Sequence, residues 1–428
     1  MSELSPKELT RRKFLTAAGL GLVAASAVGD AIQPAFAQQS ISLPPKIKLP
    51  PLMAPTEKES GGPPRALPPE KRMGFAIVGL GTLALEEILP AFAKAKLCKP
   101  VALVSGSPGK ANEVAQQYGI NPKNIYNYQN YDTIRNNPEV DVIYIVLPNS
   151  MHAEYVVRGA QAGKHILCEK PMATSVKECQ QMIDACKQAN KKLMIAYRIQ
   201  YEPYNRTMMQ MVRNKELGVV KMIEADNGQD QGGDLNQWRF KKALAGGGCL
   251  PDVGIYCLNT SRFLTGEEPI EISAMMYSTP GDPRFKEVEE NITFLMRFPS
   301  GVLAHCSASY GYHEARRYRV FGSDAWADMD PAFSYTGLRM TMAYKSKANS
   351  MAETVENRRM EEKNQFALEM DHMTECVMEN KQPYTPGEEG LQDQRLMAVI
   401  YEAARAGKTI KLPSVSGLDL TRGPSPTS

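Results

Sequence analysis

The chain has 428 residues, with 50 Lys and Arg against 47 Asp and Glu, and a formal charge of +3 provides no basic stripe for nucleic acid. Hydrophobic residues at 43% and charged residues at 23% match a soluble globular chain. Its length is enough for two domains with sizeable cores.

Arg11-Arg12 precedes an apolar stretch from Phe14 to about Val28. That stretch is too short for a spanning helix, which needs roughly 20 apolar residues. Ala35-Phe36-Ala37 then fits a small-x-small cleavage pattern. The order predicts a twin-arginine signal over 1–37, read by the pathway that exports folded proteins, and hence a periplasmic location. The plain alternative is a disordered tail with a chance arginine pair. No later run is long enough to cross a membrane, so no membrane association is expected after processing. Residues 38–72 are rich in Pro-Pro pairs and favour extended polyproline segments. They form either a flexible spacer or, given Ile47, Leu49, Leu52 and Met53, an arm over a neighbouring subunit of a homodimer or homotetramer.

From residue 73 to 197 strands and helices alternate. Gly74–Val78 reads as a buried strand, and Leu83, Ile88, Leu89 and Phe92 mark a helix face. A strand at Val101–Val104, a helix at Lys110–Tyr118 and a central strand at Val142–Leu147 follow. Next come a helix at Ala153–Ala162, the strand His165–Cys168, a helix opened by the capping pair Ser175 and Glu178, and the strand Lys192–Tyr197. This alternation predicts a Rossmann-type, doubly wound α/β domain with a mainly parallel sheet. Over 198–413 the strand-like runs Val219–Ala225, Ile270–Ser278, Ile292–Phe298, Val302–Ser307, Tyr318–Phe321 and Leu338–Tyr344 lack intervening helices. Helices return at Gln365–Glu379 and Gly390–Ala406. The pattern predicts an α+β domain with a large, open, mostly antiparallel sheet, and a loose tail over 414–428.

Eight cysteines could form four disulfides in an exported chain, but folding before export argues for mostly reduced thiols. Cys168 and Cys306 lie in strand-like runs and Cys179 and Cys186 at helical spacing, where cysteine acts as a small hydrophobe. The five histidines show no zinc-like spacing, so no metal is expected.

Gly79-Leu80-Gly81-Thr82-Leu83-Ala84 follows a strand and opens a helix, the context that a dinucleotide fingerprint requires. Gly79 allows the tight turn, Gly81 lets the backbone approach a pyrophosphate, and Ala84 keeps helix and strand close. Thr82 and Leu83 complete the loop, whose amides face the phosphate charge. An enzyme for unphosphorylated cofactor places an acidic residue after the second strand. None occurs between Pro100 and Lys110; Ser105 and Lys110 suit a 2′-phosphate instead, favouring NADP. Lys110 could also be a solvated helix-start residue.

Glu169-Lys170-Pro171 ends a strand where an open parallel sheet puts its ligand crevice. With the glycine loop and Asp252-Val253-Gly254-Ile255-Tyr256, it resembles the Gfo/Idh/MocA family of nicotinamide-dependent sugar oxidoreductases. The resemblance extends to Leu147-Pro148-Asn149-Ser150, Leu244-Ala245-Gly246-Gly247-Gly248 and Pro386-Gly387-Glu388-Glu389-Gly390, and spans roughly Gly74 to Gly407. Many members have histidine where this chain has Tyr256; tyrosine there points to the exported branch that oxidises one sugar and reduces another.

The resemblance implies Tyr256 as the acid and base at the sugar C1 oxygen, Lys170 as the ammonium that assists it and binds substrate oxygen, and Asp252 as the group orienting the sugar or this pair. It also implies cofactor contacts from Glu169, Lys170, Trp238 and Arg239, with Arg239 reaching phosphate. Asn149 and His152 would line the nicotinamide pocket, and Arg198 would lie at the last strand of the first domain. Each of these could instead be an ordinary packing residue. Loops 228–237 and 311–317 would shape the sugar pocket. An NAD-dependent glycosidase of the same family and a non-catalytic sugar-binding protein are the competing readings.

Overall fold

The computed structural model describes residues 66–346 and 352–426. The expected signal over 1–37, and the expected arm as far as residue 65, lie outside the described residues. The chain enters at β1 (Met73–Val78), turns at Gly79, and passes through a wide π-type turn over Ala84–Ile88 into α1 (Leu89–Ala91). β2 (Cys98–Val104), α2 (Pro108–Tyr118), β3 (Ile125–Tyr126), β4 (Val142–Ile145), α3 (His152–Gln161), β5 (His165–Glu169), α4 (Val176–Gln188) and β6 (Leu193–Ala196) follow. The six strands are parallel in the order β3-β2-β1-β4-β5-β6. The order reverses between β1 and β4, which opens a crevice at the carboxyl ends of the strands. Near-continuous apolar runs in β1, β4 and β6 are buried, as a sheet covered on both faces requires. At the start of α4, the Ser175 hydroxyl accepts from the Glu178 amide and donates to the Glu178 carboxylate, so the predicted capping pair forms.

Helix α5 (Pro203–Arg213) was not predicted, although Pro203 at its first turn was a start signal. The Glu202 carboxylate caps it by accepting from the Tyr204 and Asn205 amides. β7 (Val220–Gln229), α6 (Lys242–Ala245) and α7 (Ile255–Thr265) lead to β8 (Glu271–Tyr277), β9 (Asn291–Arg297), β10 (Leu303–Ser309), β11 (Glu314–Gly322), β12 (Ala325–Met329), β13 (Met340–Lys345) and β14 (Glu353–Arg358). After α8 (Gln365–Met378) and α9 (Gly387–Ala406), β15 (Ile410–Lys411) adds the last edge of a nine-stranded sheet. Its order is β14-β13-β12-β11-β7-β10-β9-β8-β15, antiparallel except where β7 meets β10. β9 shows the alternating burial of a sheet covered on one face. α7 packs on β7 and β10, and α9 on β8.

Two features correct the sequence reading. α8 was assigned with the second domain, yet it packs on the parallel sheet. The Asp371 carboxylate accepts from the backbone amides of Lys96 and Leu97, and Glu369 meets the Tyr144 hydroxyl of β4. The tail is not loose over 417–426. Arg422 is buried and donates to Glu389 (2.6 Å) and Asp419 (2.8 Å), and the Thr421 hydroxyl donates to Glu389. This joins a buried cluster in which Arg262 of α7 donates to Glu268, Glu389 and Asp393. Such a cluster is retained only because each charge finds a partner. All eight cysteines are buried free thiols. Among the described residues no helix is long and apolar enough to cross a membrane, and no group of three or more His, Cys, Asp or Glu side chains could hold a metal ion.

Candidate active site

A cleft of about 1060 Å³ runs from the glycine loop, across the carboxyl ends of the parallel strands, to the inner edge of the second sheet. At its first end Gly79 has φ +96°, and a Cβ there would lie 2.2 Å from the Val146 carbonyl oxygen, so only glycine makes this turn. A Cβ on Gly81 would meet nothing within 4 Å, because that face of the loop opens into the cleft. Thr82 and Leu83 line the same end. Ser105 and Lys110 lie beside them, and the Lys110 ammonium donates to the Leu80 carbonyl at 3.2 Å, placing a cation at the loop's mouth. An open backbone cradle with a hydroxyl and an ammonium nearby and no carboxylate after β2 fits the phosphates of a dinucleotide.

At the other end Asp252 is the hub. Its Oδ2 accepts from Arg239 Nε at 2.8 Å and from the Tyr310 hydroxyl at 3.0 Å. Lys170 Nζ donates to the Asp252 backbone oxygen at 2.8 Å and lies 3.6 Å from Oδ1. Burial by itself raises the carboxyl pKa, but the charges of Arg239 and Lys170, with hydrogen bonds from Arg239 and Tyr310, outweigh it and hold the group down to about 2. Asp252 is therefore a fixed anion between two cations.

Tyr256, one turn along the chain, presents its ring to Lys170 Nζ, 4.8 Å from the centroid. From the turn after β6, Arg198 approaches the same ring at 5.0 Å and that of Tyr335 at 4.5 Å. Arg198 is buried, donates to the Phe333 and Ser334 carbonyls and is held by Gln365 of α8. Lys170, Asp252 and Tyr256 thus converge from β5 and from the turn that enters α7, 82 and 86 residues apart in sequence.

Most expected cofactor contacts line the cleft: Asn149, Glu169, Arg198, Trp238 and Arg239 all do. Their side chains are also committed within the protein. Asn149 donates to the Ala245 carbonyl at 2.9 Å, Glu169 accepts from Tyr144 at 2.8 Å, and Arg239 stacks on Trp238 while bonding Asp252. His152 is a correction. It is fully buried and does not line the cleft; its two ring nitrogens face the Leu147 and Pro171 carbonyls at 2.8 and 2.9 Å. It braces the ends of the two strands that frame the site, because its ring turns back onto the carbonyls that follow them rather than toward the opening. Burial disfavours the charged ring, and the carbonyl contacts oppose that effect. Tyr310, Tyr335, Phe333 and Gln365 were missed. No linear motif could have found them, since Tyr310 follows β10, Phe333 and Tyr335 share the loop between β12 and β13, and Gln365 begins α8.

Comparisons with known proteins agree with this geometry. A family model described as an oxidoreductase family with an NAD-binding Rossmann fold matches residues 73–197, and one described as a GFO/IDH/MocA C-terminal domain matches 205–328. The crystal structure of aldose-aldose oxidoreductase from Caulobacter crescentus, complexed with glycerol, is 43% identical, with TM-score 0.76, over 80% of this chain and all of that one. D-xylose 1-dehydrogenase [NADP(+)] of Haloarcula marismortui is 29% identical over 343 residues, 79% of this chain and 92% of that protein. A levoglucosan dehydrogenase solved with NADH and L-sorbose shares the fold at 20% identity and TM-score 0.70.

Proposed function

The chain belongs to the GFO/IDH/MocA oxidoreductase family, and from that premise we propose that it is a periplasmic, NADP(H)-dependent sugar oxidoreductase that oxidises an aldose such as glucose to its lactone and reduces a second sugar, fructose or another aldose, to an alditol. The observation that carries this reading is the convergence of Lys170, Asp252 and Tyr256 in the cleft that begins at the glycine loop. The relatives that act on aldoses, named above, support the substrate class.

The nicotinamide cofactor supplies the hydride acceptor and donor when bound, and the glycine loop, Ser105 and Lys110 would hold its phosphates. Tyr256 takes the proton from the C1 hydroxyl of the first sugar and returns it to the carbonyl oxygen of the second. The Lys170 ammonium binds that oxygen and stabilises the charge developing on it. Asp252 keeps Lys170 and Arg239 in place. Both half-reactions use one pocket, so a retained cofactor makes each transfer effectively unimolecular. Export of the folded protein, expected from Arg11-Arg12, would carry the cofactor to a compartment that cannot replace it.

The test is to purify the protein without added nucleotide, identify any released nucleotide by mass spectrometry, and mix the protein with glucose and fructose. Bound NADP and formation of sorbitol and gluconolactone are expected. Absence of both bound nucleotide and any sugar-dependent turnover would refute the reading.

A further inference from the structure

Beneath the cleft two buried carboxyl groups meet at one phenol. Tyr144 of β4 places its hydroxyl 2.8 Å from Glu169 Oε1 and 2.9 Å from Glu369 Oε1. A tyrosine hydroxyl has a single proton to donate. If both contacts are hydrogen bonds, one must run from a carboxylic acid to the phenol oxygen. Glu369 is fully buried and its Oε2 has no hydrogen-bond partner. An orphaned carbonyl oxygen costs far less there than an orphaned carboxylate oxygen. Burial raises the Glu169 pKa too, but Glu169 has more support as an anion than Glu369: the charges of Lys170 and Arg198 and a hydrogen bond from the Lys170 amide. The groups facing Glu369 are Glu169 from β5, Tyr144 from β4, and Arg198 and Tyr201 after β6; Arg198 in turn faces Glu87 and Tyr256.

We propose that Glu369 is a positioning residue of this active site, holding a proton that it shares with Glu169 across the Tyr144 hydroxyl. Tyr144 donates to the Glu169 carboxylate and accepts from the Glu369 acid. The pair then has one negative charge, set against the Lys170 ammonium and the buried Arg198 guanidinium, which lies against the Tyr256 ring. Loss of the shared proton would leave two anions facing Arg198, the cation common to both, and draw it away from Tyr256. Burial, then repulsion from Glu169, pushes the Glu369 pKa well up, in agreement. The role in turnover rests on the sugar oxidoreductase reading; the protonation does not.

Infrared difference spectra of wild-type protein and Glu369→Gln at pH 7 read the proton without any substrate. The expected result is loss in the variant of a protonated-carboxyl carbonyl band that shifts in D2O; no such band in the wild type overturns the proposal. Tyr144→Phe keeps the ring, breaks the bridge and should move that band, and an unmoved band overturns the sharing. In turnover, the wild-type rate should fall at alkaline pH as the shared proton is lost, and Glu369→Gln should lose about two- to fivefold at pH 7 and abolish that fall. An unchanged pH profile would make Glu369 merely structural and overturn its positioning role.

Discussion

The two glycines of the loop make opposite demands, and replacing each by alanine separates folding from binding. At Gly79 the residue adopts φ +96°, which costs a side chain about 1–3 kcal/mol. The new Cβ would also stand 2.2 Å from the Val146 carbonyl oxygen and 2.9 Å from Leu147 Cδ2, and relieving such overlap costs about 1–3 kcal/mol more. Gly79→Ala should therefore lose about 2–6 kcal/mol of stability. Gly81→Ala introduces a Cβ with no neighbour within 4 Å, so its stability should stay within about 0.5 kcal/mol of wild type. That Cβ occupies the approach of a pyrophosphate to the backbone, and NADP affinity should fall at least about tenfold, roughly 1.4 kcal/mol. Urea unfolding midpoints and calorimetric titration of nucleotide-stripped protein measure the two effects. Equal destabilisation by both changes, or unaltered NADP binding by Gly81→Ala, would refute the assignment of the loop.

Other outcomes follow from the same geometry. Tyr256→Phe keeps the ring over which Lys170 sits, so bound nucleotide and stability should persist while turnover falls by about 10²–10⁴-fold in a steady-state assay. Asp252, held down to about 2, stabilises the fold above the ordinary aspartate range near 4, and that contribution disappears as pH falls through about 2. Asp252→Asn should cost about 2–3 kcal/mol at neutral pH and flatten the stability profile between those values, as acid titration by circular dichroism would show. Arg422→Ala leaves Glu389 short of a buried cation and should cost about 3–5 kcal/mol by denaturant unfolding, against almost nothing for a loose tail. Lys110→Ala should weaken NADP and leave NAD binding nearly unchanged, a contrast that fluorescence titration resolves.

The parallel sheet was legible because its strands are short apolar runs separated by amphipathic helices, and the glycine loop stands at the first turn. Lys170, Asp252 and Tyr256 could be named from their motifs. Periodicity did not disclose β12 or β14: β14 is largely polar and exposed along its edge, and β12 is a five-residue strand. His152 was misplaced because spacing from a strand end does not say whether a side chain turns to the opening or back into the sheet.

The sequence determined the local part of this protein: which segments are strands or helices, where φ must be positive, and which ionisable residues end up at strand tips. Those properties depend on neighbours a few residues apart. Only the tertiary structure decided that α8 returns to the first sheet, that Tyr310 and Arg239 share Asp252, that the C-terminal residues close a buried charge cluster, and that Glu369 lies across Tyr144 from Glu169. Those pairings join residues up to 275 positions apart, and burial, which no local pattern encodes, determines what their charges do.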